Sequence, residues 1–589
     1  MNTIQIPNTR RNLLLQVIYW GITFAAWFIF LNSFSRYHFF YIEQAQLFTG
    51  EINTHISGWL AQYLTGNYVQ HFAVPLVGPI ILAFINTFIA GLTFVVLNRL
   101  GMKGNGMILA QLVPVCLTFM FFNHLYNLEG TTAFLLALLA LVGTISVKPW
   151  IARFITAAIL APLLQWFAGP VALLYAVAFF LFGLFREAGW GRITALLPLA
   201  TASGAAYYAA ITGMTDAMSL AFLPDEYFHH NAQPDKLIYA AWWVLWGLIL
   251  LSGWMGKREI QSAKLRILSF AISLLLVLGI AWQGTLRYGN AHTTLLKQIT
   301  YYAQRENWQK VLNLTKDNRT NYLYISYRNL ALSHLGTLAD DLFHYPQVGL
   351  LGLLPTWDKS PTTSSLLSDI YYHIGDIALA QQMAFEGNMA QGNGGCPHLW
   401  KRLVETNLIF DAPKIALKYI DLLAKAPHHR AWAEQQRELA LHPERIADDP
   451  ELSTKRRFFG GEQHLRHFYG IDFDIRLIAE HCPESHAAVE YLGCLFLLGK
   501  DLQGFQALLD KYYGTPVLPE LPVSFQQAVV IINEKAPENW AKYHITPEVA
   551  KQFDAFRTTF NRNRQSAALR STLLRYFGDT YWYYFTFKK

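Results

Sequence analysis

The sequence predicts an all-α polytopic membrane domain followed by a separate, water-soluble helical domain of roughly 300 residues. Three observations carry this. Apolar runs long enough to cross ~30 Å of hydrocarbon recur about nine times in the first half. Charged residues make up only 15% of the chain, against about 25% in an average soluble domain, and the deficit falls in that half. From about Asn290 the pattern turns to amphipathic helical periods punctuated by Gly and Pro, with almost no alternation of β-branched residues. A chain of 589 residues exceeds what one soluble core fills, which fits the division.

The first apolar run, 13–34, shows no small-residue cleavage site and is followed by more spans, so it reads as a retained signal anchor. The others lie near 72–98, 106–122, 131–147, 150–168, 170–185, 192–212, 237–255 and 266–286. Within 131–168 two short runs are parted by Val147, Lys148 and Pro149, a pattern that also fits a hairpin that does not fully cross. Either version leaves the parity odd, and the domain boundary falls at 288/289.

Lys and Arg in the short loops set the orientation. An inner N-terminus places Arg10, Arg11, Arg99, Lys103, Lys148, Arg153, Arg186, Arg192, Lys257, Arg258, Lys264 and Arg266 inside, and leaves Arg36, Lys236 and Arg287 outside. The C-terminal domain is then expected on the outer side, the periplasm if the membrane is a bacterial inner membrane. The net charge of +7 is spread over these loops without a continuous basic stripe, which argues against nucleic acid as a partner.

Three outer loops collect polar groups. The longest, 35–71, is aromatic and amphipathic and predicts helices lying in the membrane interface. In it Phe39, Phe40, Glu43 and Leu47 share a helix face, so Glu43 sits among apolar residues, where a carboxylate is costly. Arg36, two turns earlier, would make it a structural ion pair; otherwise Glu43 is a functional carboxylate. The loop 213–235 brings Asp225, Glu226, His229 and His230 close in sequence. These are donors for a divalent metal, the one cofactor the chain suggests, although the spacing matches no established zinc pattern and a polar surface loop accounts for them equally. The loop 123–130 adds His124 and Glu129.

In the second half, TYYAQRENWQKVLNLTK and NYLYISYRNLALSHLGTLADDLF predict a helix, a turn and a second helix ending near Gly336. A similar pair recurs with Tyr371, Gly375 and Ala378, and another with Ala416 and Tyr419. Their large and small positions are spaced like those of a tetratricopeptide helix pair, without its strict 34-residue period, so 289–510 reads as a tetratricopeptide-like array suited to binding a protein partner. The Pro-rich 510–545 stretch reads as a loop, and the aromatic end of 511–589 is expected to pack on the domain or at the membrane surface. Cys116, Cys396, Cys482 and Cys494 show no metal spacing; Cys482 and Cys494 suit either a disulfide or two buried thiols.

FYIEQAQLF at 40–48, YRNLALSHLGTLADDLF at 327–343 and the segment 366–389 resemble a family of uncharacterised bacterial polytopic membrane proteins, a domain of unknown function. The layout is similar to that of GT-C glycosyltransferases, with a long first outer loop, an acidic residue in it and a C-terminal outer domain. That resemblance implies transfer of a sugar from a polyprenyl-phosphate donor, with Glu43, the one residue that matches by position, as general base; Arg36, with His71 or His124, is then expected to stabilise the donor phosphate. Many members carry Asp where Glu43 stands, and no sugar-binding motif accompanies it. The competing expectation is a non-catalytic scaffold that gathers periplasmic partners for envelope assembly. A transporter fits less well, because the spans hold few ionisable residues.

Overall fold

In the computed structural model the chain is helical, and among the described residues only isolated β-bridges interrupt that pattern. The structure describes residues 8–34, 36–123, 125–229, 233–255, 262–289, 291–317, 320–391, 394–458, 471–481 and 485–588. It forms two compact units, Met1–Glu43 with Leu47–Thr294, and Gln44–Gln46 with Leu295–Lys589.

The first unit holds α1 (Asn8–Phe34), α2 (Arg36–Gln44), α3 (Trp59–Val69), α4 (Val77–Arg99), α5 (Gly104–Leu109), α6 (Leu112–Phe121), α7 (Glu129–Ser146) and α8 (Trp150–Ala168). It continues with α9 (Val171–Arg186), α10 (Trp190–Thr194), α11 (Leu197–Ile211), α12 (Met218–Phe222), α13 (Ala240–Met255) and α14 (Ala263–Tyr288). Eight helical stretches, with α5–α6 and α10–α11 each counted as one, are long and apolar enough to cross a membrane. These are the helices of a multi-pass membrane protein. The ninth expected span, α9, is apolar but only 16 residues long, about 24 Å at 1.5 Å per residue. The hairpin alternative for 131–168 gives way to two full-length helices, α7 and α8. Pro114 and Pro198 sit in the first turns of α6 and α11, and having no N–H to give the carbonyls four residues back, at Ala110 and Thr194 where α5 and α10 end, they interrupt the helical bonding, so that each of these two spans is built from two helices.

Hydrogen bonds define the two ends of this bundle. At one end Arg153 pairs with Glu187 and donates to the Val147 carbonyl at 2.9 Å, Arg192 donates to the Glu187 carbonyl at 3.0 Å, and Arg99 reaches Ser146. This is the basic end. At the other end Ser57 donates to the Gln165 carbonyl (2.7 Å), Trp166 to the Thr54 carbonyl (2.9 Å) and Tyr239 to Asp225 (2.7 Å). Glu129, Asp216, Asp225 and Glu226 belong to this acidic end.

The second unit begins in α15 (Ala291–Ala303) and continues through α16 (Trp308–Thr315), α17 (Tyr322–His334), α18 (Leu338–Asp341), α19 (Pro361–Ile374), α20 (Ile377–Gln391), α21 (Pro397–Ile409), α22 (Pro413–Lys425) and α23 (Arg430–Leu441). Then come α24 (Pro450–Arg457), α25 (Ile471–His481), α26 (His486–Gly499), α27 (Leu502–Tyr512), α28 (Val523–Ile532), α29 (Pro547–Asn563), α30 (Leu569–Phe577) and α31 (Tyr581–Phe587). From α19 to α23 each helix packs on the next. Asn321, Ser360 and Asp376 cap α17, α19 and α20 through side-chain oxygens that accept backbone N–H groups, which satisfies donors a helix start leaves open.

One expectation fails here. The stretch 510–545 is not a loop: α28 runs through it with Phe525, Ala528, Val529 and Val530 fully buried. Pro516, Pro519 and Pro522 precede the helix and Pro537 follows it, and Pro522 stands at the N-cap, where a missing N–H costs nothing. The aromatic C-terminus packs inside the unit. Trp582 is buried and donates to the Gln527 carbonyl at 2.9 Å, and Tyr584 donates to the Leu498 carbonyl at 2.9 Å. Arg328 and Asn329 of the YRNLALSHLG segment are likewise buried, bonding to Thr315, Gln347 and Gly352. Cys116 and Cys494 are buried free thiols; Cys482, the expected alternative partner of Cys494, lies outside the described residues.

Candidate functional site

The acidic end is assembled by pairing two loops that are about 100 residues apart in sequence. Tyr126 and Phe228 form an antiparallel bridge, with the His229 N–H donating to the Leu125 carbonyl and the Asn127 N–H to the Tyr227 carbonyl, both at 2.9 Å. That register brings the short helical turn Pro224–Tyr227 against the start of α7 and the end of α8. Tyr227 is buried and its hydroxyl donates to the Ala168 carbonyl at 2.5 Å.

Glycine is required at the next position. Gly169 adopts φ 70° and ψ −145°, a region essentially closed to side chains. A Cβ built there would also lie 3.0 Å from Glu226 Oε2. The bare backbone lets Glu226 fold inward, where Oε2 is buried without a hydrogen-bond partner. Burial first, then the charges of Glu129 and Asp216, push the Glu226 carboxyl up to about 8. An ionised carboxylate is expensive in such a place, and a neutral one gives up less hydration.

Glu129, at the first position of α7, faces this group and a shell of hydroxyls. Thr65 and Thr132 approach to 2.6 Å, Tyr68 lies 3.0 Å from Thr132, and Tyr126 lies 3.2 Å from Thr131. Burial raises the Tyr68 phenol to about 12, so it stays a hydrogen-bond donor at neutral pH. Gln165, one turn before Gly169, is buried with its amide donating to Ala221, while its Oε1 has no partner. Thr215 Oγ1 is in the same condition. The negative charge of Glu129 thus adds to the burial that favours the neutral form of the Glu226 carboxyl.

The residues expected from the sequence are distributed over the same end. Glu43 is 3% exposed on α2, in company with His38, Phe39 and Phe40, whereas Arg36 is exposed. Phe39 packs edge-on to Phe72, beside the half-buried His71, with ring centroids 4.9 Å apart. Phe72 in turn meets Tyr68, so α2 and the hydroxyl shell are joined through aromatic contacts. His124 and His230 lie outside the described residues.

Three of the four expected metal donors, Asp225, Glu226 and His229, are among the described residues. Asp225 accepts from Tyr239, Glu226 turns towards Gly169, and His229 contributes its backbone to the bridge. No group of three or more His, Cys, Asp and Glu among the described residues is placed to hold a metal ion.

The carboxyl pair and its Thr–Tyr shell escape sequence reasoning because they depend on the bridge between distant loops. A usable signal was present nonetheless: Thr65, Tyr68, Thr131 and Thr132 are hydroxyls at the borders of otherwise apolar segments. Among known proteins, a family model described as a family of unknown function (DUF6057) matches residues 11–588. No curated protein and no solved structure matches the chain.

Proposed function

Since the chain belongs to the DUF6057 family, which brings no activity with it, we propose a function from the site: a membrane-embedded transferase of the glycosyltransferase kind. It moves a sugar from a polyprenyl-phosphate donor to an acceptor hydroxyl at the acidic end of the spans, the periplasmic end in a bacterial inner membrane. The observation that carries this reading is the half-buried pair Glu129 and Glu226, with the buried Glu226 Oε2 unpartnered, beside a shell of hydroxyl groups.

In the proposed reaction the acceptor oxygen bonds to the anomeric carbon as the bond from that carbon to the phosphate oxygen breaks. The lipid phosphate leaves with the electron pair, and a carboxylate takes the acceptor's proton. General-base help of this kind is worth roughly 10²–10⁴ in rate. Glu43 and the ionised member of the Glu129–Glu226 pair are the two places for it, and Arg36 and His71 are the groups offered to the phosphate. Glu43→Gln, Glu129→Gln and Glu226→Gln, assayed for sugar transfer in proteoliposomes supplied with lipid-linked donor, assign the base: the correct variant loses at least about 100-fold while still inserting and folding. Full transfer by all three variants removes the mechanism.

The scaffold reading draws on the run α19–α23, in which each helix packs on the next. A tetratricopeptide-like array of that kind would offer a surface to a protein partner. It expects no transfer by the unmodified protein in the same assay.

A further inference from the structure

The spans α1, α6 and α14 line an open-sided cavity of about 380 Å³ whose wall includes Ile22, Trp27, Phe30, Phe119, Leu274 and Leu278. α14 is fastened above and below it. Near the basic end Asn105 donates to Ser269 at 3.0 Å. Near the acidic end the Phe119 ring occupies the space a Cβ on Gly284 would need, and stacks on Tyr288 at 5.6 Å. Between the fastenings, about 15 residues or ~22 Å apart along the helix, Phe270, Leu274, Val277, Leu278 and Ala281 of α14 line one side of the space.

Every polar side chain on the wall already has a protein partner. Trp27 donates to Gln111, the Gln111 amide reaches Tyr19, Tyr19 donates to the Met107 carbonyl and bonds with Thr23, Thr118 donates to the Pro114 carbonyl, and Thr285 to the Ala281 carbonyl. The cavity therefore offers a ligand carbon surface and shape. It lies among membrane-spanning helices, where the alternative to a bound chain is a lipid tail and no hydrophobic gain separates the two, so fit decides occupancy. A volume of about 380 Å³ spread along the ~22 Å of α14 that lines it averages roughly 17 Å² in section, room for one hydrocarbon chain.

The upper end leads to the site. Phe30, on the wall, meets Phe122 at 6.4 Å, and Phe122 meets His38 of α2 at 5.4 Å. A chain lying in the cavity emerges beneath the helix that carries Glu43. We infer that this cavity between α1, α6 and α14 seats the hydrocarbon tail of the lipid-phosphate substrate and so delivers its head to the acidic end. The identity of the lipid rests on the transfer reading above; the seating of a single chain does not.

Filling the cavity tests it. Ala281→Trp places an indole in the gap, and Leu275→Trp is the matched control, because Leu275 on the same helix is 69% exposed. A photoactivatable polyprenyl phosphate is reacted with the full chain in phosphatidylcholine vesicles, alongside a photoactivatable phosphatidylcholine. The expected result is attachment of the polyprenyl probe to α1, α6 or α14 that unlabelled polyprenyl phosphate competes away. Attachment falls at least tenfold in Ala281→Trp and persists in Leu275→Trp. Equal, uncompeted labelling by phosphatidylcholine would mean a bulk lipid and overturns the inference, as does undiminished labelling of Ala281→Trp. Labelling as expected without any sugar transfer leaves the seat standing and removes the transferase.

Discussion

Asp376 shows what a single buried carboxyl does to this molecule. It is 8% exposed, caps α20 by accepting the Leu379 N–H at 3.0 Å through Oδ1, and has no partner for Oδ2. Burial pushes its pKa up to about 7, the Leu379 N–H opposes that, and Asp474 adds to it. The folded protein thus binds this proton more tightly than the unfolded chain. The stability it contributes is fully present below pH ~4 and is lost as pH rises through about 7. Asp376→Asn keeps the cap acceptor and never ionises. Thermal unfolding at pH 5 to 8 should therefore show the variant gaining on the parent as pH rises, by more than about 1 kcal/mol at pH 8. A constant difference across that range would show that Asp376 does not bury its charge. Such properties were not legible in the sequence, where Asp376 is one more helix-start residue. The burial of Glu43 was legible from Phe39 and Phe40, buried with it on α2, although Leu47, expected on the same helix face, lies beyond the end of α2 at Gln44.

At the scale of elements, the spans were read directly from apolar length, and their internal breaks follow from Pro114 and Pro198. The turn between α8 and α9 was not foreseen as a determinant of the site. Gly169 looked like any loop glycine, and only the pairing of loops 123–128 and 223–229 reveals that Glu226 needs the room. Gly169→Ala forces a side chain into a glycine-only conformation and against Glu226 Oε2, which predicts a loss of about 1–3 kcal/mol. Gly204→Ala in α11 is the contrast. A Cβ there meets nothing within 4 Å, and replacing a helical glycine by alanine favours the helix by roughly 0.5–1 kcal/mol. Detergent-solubilised thermal unfolding of both checks the pair; similar behaviour of the two variants would place no special demand on Gly169. Misreading 510–545 as a loop has the same root, since three prolines were weighed ahead of the apolar run Ala528–Ile532 that follows them.

For the whole molecule, the two ends of the membrane unit differ in charge, and this difference fixes how it should sit in a bilayer. The basic end gathers Arg99, Lys148, Arg153, Arg186 and Arg192, with Glu187 tied to Arg153. Glu129, Asp216, Asp225 and Glu226 are gathered at the other. Cations in short loops are retained on the cytoplasmic side, whereas acidic residues contribute little to that choice. The expected topology therefore leaves the basic end in the cytoplasm and exposes the acidic end, with the carboxyl pair, outside. Ala188 and Ala217 are exposed in loops at the basic and acidic ends respectively, and Cys116, Cys396 and Cys494 are buried. In a chain with Cys482 replaced by Ser, Ala217→Cys should react with a membrane-impermeant maleimide in intact cells. Ala188→Cys should react only after permeabilisation. The reverse pattern would put the Glu129–Glu226 pair in the cytoplasm, where a donor presented on the outer leaflet cannot reach it, and the proposed reaction would have to be abandoned along with the topology.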